Sequence, residues 1–244
     1  MIVRLIYFEI KNLLRDQMTL FLIAFPLIYA ATGRYLLSLD LEQVIVEIAV
    51  VLIVVISGFI YGAMVAFSIL DDRDDHVFVS IAISPLSLQV YVWVKILFMY
   101  VMSIFSTLFV YAVVGISSLT WMQVVMLATL SGLQVPLQGM LINALASNKV
   151  EGFVIMKATG FLLIFPIFGY LFTDIKQWLF AFAPAFWPTK AIQTVLFEQQ
   201  ISLGLIDLGL SYWGFVFGGL LYFGVLIFLM NRIFTTRVLA QRSE

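Results

Sequence analysis

The sequence predicts an all-α integral membrane protein with six transmembrane helices, and three observations carry that expectation. The chain has 244 residues, of which 63% are hydrophobic and 11% charged, and its mean hydropathy is +1.10. A soluble domain carries roughly a quarter charged residues, so water is not the main solvent of this chain. Uncharged runs of about 20 residues, long enough to cross a bilayer as helix, recur along it. Lysine and arginine collect at alternate ends of those runs, the asymmetry that orients membrane proteins.

Residues 1–16, MIVRLIYFEIKNLLRD, are amphipathic: Arg4, Lys11, Asn12 and Arg15 share one helical face, and Ile2, Ile6, Ile10, Leu13 and Leu14 fall largely on the other. This predicts a helix lying in the membrane interface with its cations toward lipid headgroups. No compact apolar region with a cleavage site marks the segment as a signal peptide.

A six-helix domain is predicted over 17–232. The first span covers 17–39 and contains Pro26; Asp40, Glu42 and Glu47 follow it. The second runs from Ile48 to Leu70. A charged segment comes next, DDRDDHVFVSIAISPLS, residues 71–87. The third span covers Leu88 to Ile116, with Trp93 and Lys95 near its start, where a lysine can snorkel to the interface. The fourth, Thr120 to Ala146, contains Pro136; the fifth, Phe153 to Phe172, contains Pro166 as a candidate kink. Residues 173–207 are too interrupted for a span. Pro184 and Pro188 combine there with Trp178, Phe180, Phe182, Phe186 and Trp187, which predicts short re-entrant helices over 174–200 in the outer interface. The sixth span is Leu208 to Met230, followed by a tail, 233–244.

One side of the membrane receives Arg4, Lys11, Arg15, Arg73, Lys149, Arg232, Arg237 and Arg242; the other receives Arg34, Lys176 and Lys190. The expected location is therefore a cell membrane, crossed several times, with both termini and residues 71–87 cytoplasmic.

Within that charged segment, Asp71, Asp72, Asp74 and Asp75 surround Arg73. Acids at the start of a short helix suit its positive dipole end, and Val77, Phe78 and Ile81 supply an apolar stripe after them. Ser84-Pro85 ends the run, because the residue before proline is pushed out of the helical region. The expectation is a cytoplasmic coupling helix over 71–84, with a charged tip and an apolar side that touches a partner. Gly58/Gly62 and Gly214/Gly218 have the spacing that permits close helix approach, which we read as packing inside one subunit. Gln134, Gln138 and Asn143 recur along the fourth span; in hydrocarbon they either line a pathway or bond neighbouring helices.

Several function classes lose support. Absence of cysteine excludes disulfide and thiolate chemistry, and a single histidine argues against a metal enzyme. No catalytic residue and no metal ligand is expected. No G-x-x-x-x-G-K-[ST] nucleotide loop is present, so any energy comes through a partner or an ion gradient. No acid lies at mid-span to serve a gradient-driven transporter. The net charge of −1 gives no pointer to nucleic acid, and no such partner is expected.

The chain resembles the membrane subunit of an ABC exporter of the ABC-2 (type V) class. The resemblance rests on the order of KNLLRD (11–16), a first span with Pro26, the 71–87 segment, LINALASNKVEG (141–152) and AFWPTKAI (185–192). Trp187-Pro188 is also reminiscent of small bacterial drug- or peptide-export permeases. The acidic segment departs from the commoner form of the family, which alternates Glu and Arg. The resemblance implies a half-transporter that pairs with an identical or homologous permease subunit and with two ATP-binding subunits. ATP and Mg would be held there, and no cofactor in this chain. Asp71, Asp72, Arg73, Asp74, Asp75, Val77, Phe78 and Ile81 would couple to the ATPase. Phe21, Phe25, Phe59, Phe165 and Phe168 would border the pathway or the subunit interface, with Gln134 and Gln138 as further pathway candidates. An aromatic-rich, nearly uncharged domain suits a hydrophobic or amphiphilic cargo (drug, peptide or lipid) moved outward. Two alternatives remain at this point: a non-transporting membrane anchor for a cytoplasmic protein, and a gradient-driven transporter.

Overall fold

In hydrocarbon every backbone N–H and C=O must be satisfied within the chain, so uncharged runs of this length become helices. The computed structural model describes Lys11 and residues 24–39, 43–114 and 119–239. Among these it is all-helical, and five helices are long and apolar enough to cross a membrane: Val51–Asp74, Leu88–Val114, Trp121–Leu145, Lys149–Leu171 and Tyr212–Val238. The first predicted span is represented by α1, Phe25–Ser38, with 17–23 outside the described residues. The predicted interfacial helix also lies outside them, except that Lys11 is helical and exposed.

α2, Gln43–Asp74, is the central element. It packs against α4 (Leu88–Val114) and against the span formed by α5 (Trp121–Gly132) and α6 (Gln134–Leu145). Of the apolar stretches, 61% of that in α2 and 72% of that in α5–α6 are buried, against 17% in Lys149–Leu171 and 22% in Tyr212–Val238. The first two are therefore the middle of the bundle, and the last two present most of their surface outward.

Glycine permits the central contact. A Cβ on Gly58 would lie 2.1 Å from the Ser131 carbonyl oxygen, and one on Gly62 would lie 2.7 Å from Gln138 Cβ. The Gly58/Gly62 pair therefore packs α2 on α5–α6 within one subunit, as its spacing predicts.

Proline sets the interruptions. Pro136 has no N–H to donate one turn back, and the fourth span breaks into α5 and α6 at Leu133. The fifth span divides similarly. α7 (Lys149–Gly160) gives way to a 3-10 turn at Phe161–Leu163 and then to α8 (Phe165–Leu171), with Pro166 in the first turn of α8. The break thus falls in the turn before the proline.

The segment after α8 holds a 3-10 helix (Ile175–Phe180), α9 (Phe186–Leu196) and α10 (Glu198–Ser202). It folds onto the end of the bundle through an aromatic cluster: Trp178 stacks on Phe215 at 5.9 Å, and Phe186 meets both Phe215 and Trp187. Trp187 also fits over Gly218 and Gly219 of α11 (Tyr212–Phe234). Lys190 of α9 is fully buried. Its Nζ donates to Phe172 O at 2.8 Å and to Gln193 Oε1 at 2.7 Å, while Gln193 Nε2 donates to Tyr170 O at 2.7 Å. These donors satisfy carbonyls that the end of α8 leaves open. Burial lowers the Lys190 pKa to about 7, with Asp174 acting in the opposite sense.

Candidate functional site

The charged segment differs from its expected form. α2 continues through Asp74, so Asp71, Asp72, Arg73 and Asp74 close a long helix instead of opening a short one. The acids therefore sit at the negative end of the α2 dipole, and neighbouring cations offset that. His76, at φ 57° and ψ 20°, makes a left-handed turn, a conformation in which His is enriched among non-glycine residues. A separate six-residue helix follows, α3, Val77–Ala82. It ends before Ser84-Pro85 as expected; Ser84 Oγ donates to Ile81 O at 2.8 Å, and Ser87 Oγ accepts from Val90 N at the start of α4.

Each inner acid or base of the segment holds a different helix. Asp72 pairs with Lys95 of α4 and accepts from the Tyr91 hydroxyl at 2.9 Å. Lys95 also donates to Ser68 Oγ at 2.9 Å and is only 3% exposed. The expectation that Lys95 snorkels to the interface is thus corrected: an acid within reach on α2 makes inward pairing the better solution for its ammonium. Arg73 donates to the carbonyls of Asn143 (3.2 Å) and Ala146 (3.0 Å), which closes the C-terminus of α6. Asp71 pairs with Lys149, the first residue of α7, at a half-exposed position. Three consecutive side chains therefore clasp the end of α2 to α4, α6 and α7.

The apolar stripe also faces inward. Phe78 is fully buried, with its ring edge-on to Tyr91 at 6.5 Å, and Ile81 is buried in the same apolar cluster as Met64, Val65 and Ile69 of α2. Val77 is partly buried with them. Val77, Phe78 and Ile81, expected to meet a partner, are turned toward their own bundle here, because at helical spacing the stripe falls on that side of α3. The opposite side presents Val79 (53% exposed), Ser80 and Ile83 (88% exposed), beside the exposed Asp74, Asp75 and His76. Sequence patterning finds the stripe but cannot say which solvent, cytoplasm or bundle, it faces.

A second site lies midway along the bundle. Phe59 of α2, Gln134, Leu137 and Gln138 of α6, Thr159 of α7 and Pro184 line a small cleft of about 20 Å³, room for about one water molecule. Gln134 Nε2 donates to Val55 O at 3.1 Å and to Ser131 O at 3.2 Å. Gln138 Nε2 donates to Thr159 Oγ1, which in turn donates back to the α7 carbonyls of Ile155 and Met156. Asn143 lies away from the cleft and bonds Ala66 O and Gly139 O at 3.0 and 2.9 Å. The polar ladder of the fourth span thus divides: Gln134 and Gln138 line a cleft and bond neighbours, and Asn143 only bonds neighbours.

Among the described phenylalanines, only Phe59 lines this cleft. Phe165 and Phe168 belong to an adjacent aromatic cluster with Phe180 and Phe182. Phe25 lies on α1, which packs along α4, and its ring pairs with Tyr29 at 5.5 Å. Phe21, Arg4 and Arg15 lie outside the described residues. Thr159 and Lys149, which complete the two sites, carry no local signal: a threonine in an apolar helix and a lysine at a loop gain meaning only from what folds against them.

Comparison with curated proteins gives no match. Residues 9–231, nearly the whole chain, match a family model described as fluoroquinolones export permease protein Rv2686c-like. The chain belongs to the Rv2686c-like family of export permeases, in agreement with the ABC exporter resemblance carried by its motifs.

Proposed function

We propose that this chain is the transmembrane half of an ATP-driven ABC-2 type exporter. In this reading it has six spans with both termini cytoplasmic, works as a pair of permease subunits, and docks two ATP-binding subunits that hold ATP and Mg. The observation that carries the reading is the continuity of α2. One unbroken helix bears the clasped, exposed-tipped turn at Asp71–His76 and, fifteen residues back, the Phe59 wall of the cleft. At 1.5 Å per residue that is about 22 Å, so a displacement at the turn reaches the cleft without a flexible joint.

Partner contact falls on Asp74, Asp75, His76, Val79, Ser80 and Ile83. Asp71, Asp72, Arg73, Phe78 and Ile81 hold that surface rigid and pass its motion to α4, α6 and α7. α7 supplies Thr159 to the cleft and then breaks at Phe161–Leu163, where its two halves can move separately. The cleft is closed to anything larger than water in this conformation, so transport requires Gln138 and Thr159 to part. A cargo like that in the family's name, an aromatic amphiphile, suits Phe59 for stacking and the two glutamines and Thr159 for hydrogen bonds.

The test is purification in mild detergent followed by reconstitution. Co-elution with an ATP-hydrolysing subunit and ATP-dependent movement of a fluoroquinolone into vesicles are expected, and Gln138→Leu should alter cargo KM more than basal ATPase rate. A folded chain that captures no nucleotide-binding subunit would instead favour the anchor reading.

A further inference from the structure

The outer face of α11 carries a feature that export chemistry does not use. Phe217, Leu221, Val225 and Phe228 recur at helical spacing and are 62%, 73%, 54% and 58% exposed. With Leu220 and Gly224 they line an open groove of about 580 Å³. Gly224 forms its floor: a Cβ placed there would meet nothing within 4 Å. From Phe217 to Phe228 the groove runs about 16 Å at 1.5 Å per residue. That is close to one leaflet, half of a hydrocarbon core about 30 Å thick.

One end of the groove is charged. Arg232 lies one turn beyond Phe228 on the same face, with its guanidinium 5.2 Å from that ring. It is exposed and makes no ion pair among the described residues. Exposed Arg237 follows one turn on, in the π-helical end of α11. An apolar channel one leaflet long, ending in an unneutralised guanidinium at the membrane surface, matches the two parts of an anionic lipid.

We propose that this groove seats an acyl chain of an anionic phospholipid whose headgroup phosphate pairs with Arg232. The phosphate supplies the counter-charge that Arg232 lacks, and a planar guanidinium donates to it bidentately. The acyl chain fills the notch over Gly224, where any side chain would stand in its place. A zwitterionic lipid would fill the groove equally but gain less at the arginine.

Native mass spectrometry of the full chain, exchanged into detergent with phosphatidylglycerol or phosphatidylcholine of identical acyl chains, tests this. Wild type should retain phosphatidylglycerol about fivefold better, the factor that about 1 kcal/mol per basic residue near an anionic surface gives. Arg232→Gln should bring that ratio near one while still holding phosphatidylcholine. Gly224→Phe should lose one bound lipid of either kind, with an unchanged melting temperature as its folding control. A preference that survives Arg232→Gln, or full retention in folded Gly224→Phe, overturns the proposal. Disulfide-linked dimers of Gly224→Cys in membranes also overturn it, since the chain has no other cysteine and a second copy would then cover the groove.

Discussion

Phe78→Ala and the pair Val79→Asp/Ile83→Asp separate the two faces of α3. Phe78 is fully buried against Tyr91 and the end of α2. Truncating a buried phenylalanine costs about 3–5 kcal/mol through lost burial and the cavity left behind. We expect about 3 kcal/mol, because α3 lies at the end of the bundle, where the site can partly collapse. For a chain of this size that lowers the melting temperature by about 10 °C. Val79 and Ile83 are 53% and 88% exposed, and exposed substitutions stay within about 0.5 kcal/mol. Their charged replacements should leave melting unchanged but weaken ATPase association at least tenfold, since two carboxylates would be desolvated in the interface. The assays are thermal unfolding in detergent and pull-down of the ATPase subunit with ATP-driven transport. A Phe78→Ala protein that melts with wild type refutes the inward anchor. Unimpaired association and transport in Val79→Asp/Ile83→Asp refute the outward docking face.

Three further outcomes follow from the same contacts. Lys95→Met leaves the Asp72 carboxylate largely buried and should cost about 3 kcal/mol, whereas Asp72→Asn/Lys95→Met should recover part of that loss; additive melting shifts in the double variant would contradict the clasp. Gly58→Ala places a methyl 2.1 Å from the Ser131 oxygen and should prevent stable folding, while Gly224→Ala, with open space around it, should be neutral or slightly stabilising; similar expression and melting for the two would refute the α2–α5 contact. Lys190 keeps its proton less well folded, at about 7, than unfolded, so the unfolded chain binds more protons above that pH and stability rises as pH rises toward the ordinary lysine value. Between pH 7 and 8 wild type should gain about 1 kcal/mol relative to Lys190→Met, measured by denaturation in detergent; parallel pH profiles would show that Lys190 stays charged.

Much of the architecture was legible because bilayer chemistry leaves so few choices. Leu88 and Ser84-Pro85 mark where α4 starts and α3 stops, and the Gly58/Gly62 spacing correctly indicates internal packing. The breaks ahead of Pro136 and Pro166 follow from a missing N–H. The failures share a cause: each concerns what a side chain faces. Phe78 and Ile81 form a stripe whether they cover a partner or their own bundle. Lys95 near a helix end fits snorkelling as well as burial until Asp72 is seen one helix away. That 71–74 end α2 rather than open the following helix was missed, because acids disfavour a helix C-terminus and the compensation by Lys95 and Lys149 is non-local.

By itself, then, the sequence determined that the chain is helical and membrane-embedded, where its spans are interrupted, and the family to which its ordered motifs point. Those properties depend on hydropathy and on backbone hydrogen bonding, both local along the chain. Only the tertiary structure decided that the charged turn is clasped to α4, α6 and α7, that Gln138 meets Thr159, and that Val79 and Ile83, not Phe78 and Ile81, face outward. Those pairings join residues distant in sequence, and the bundle's packing is what brings them together.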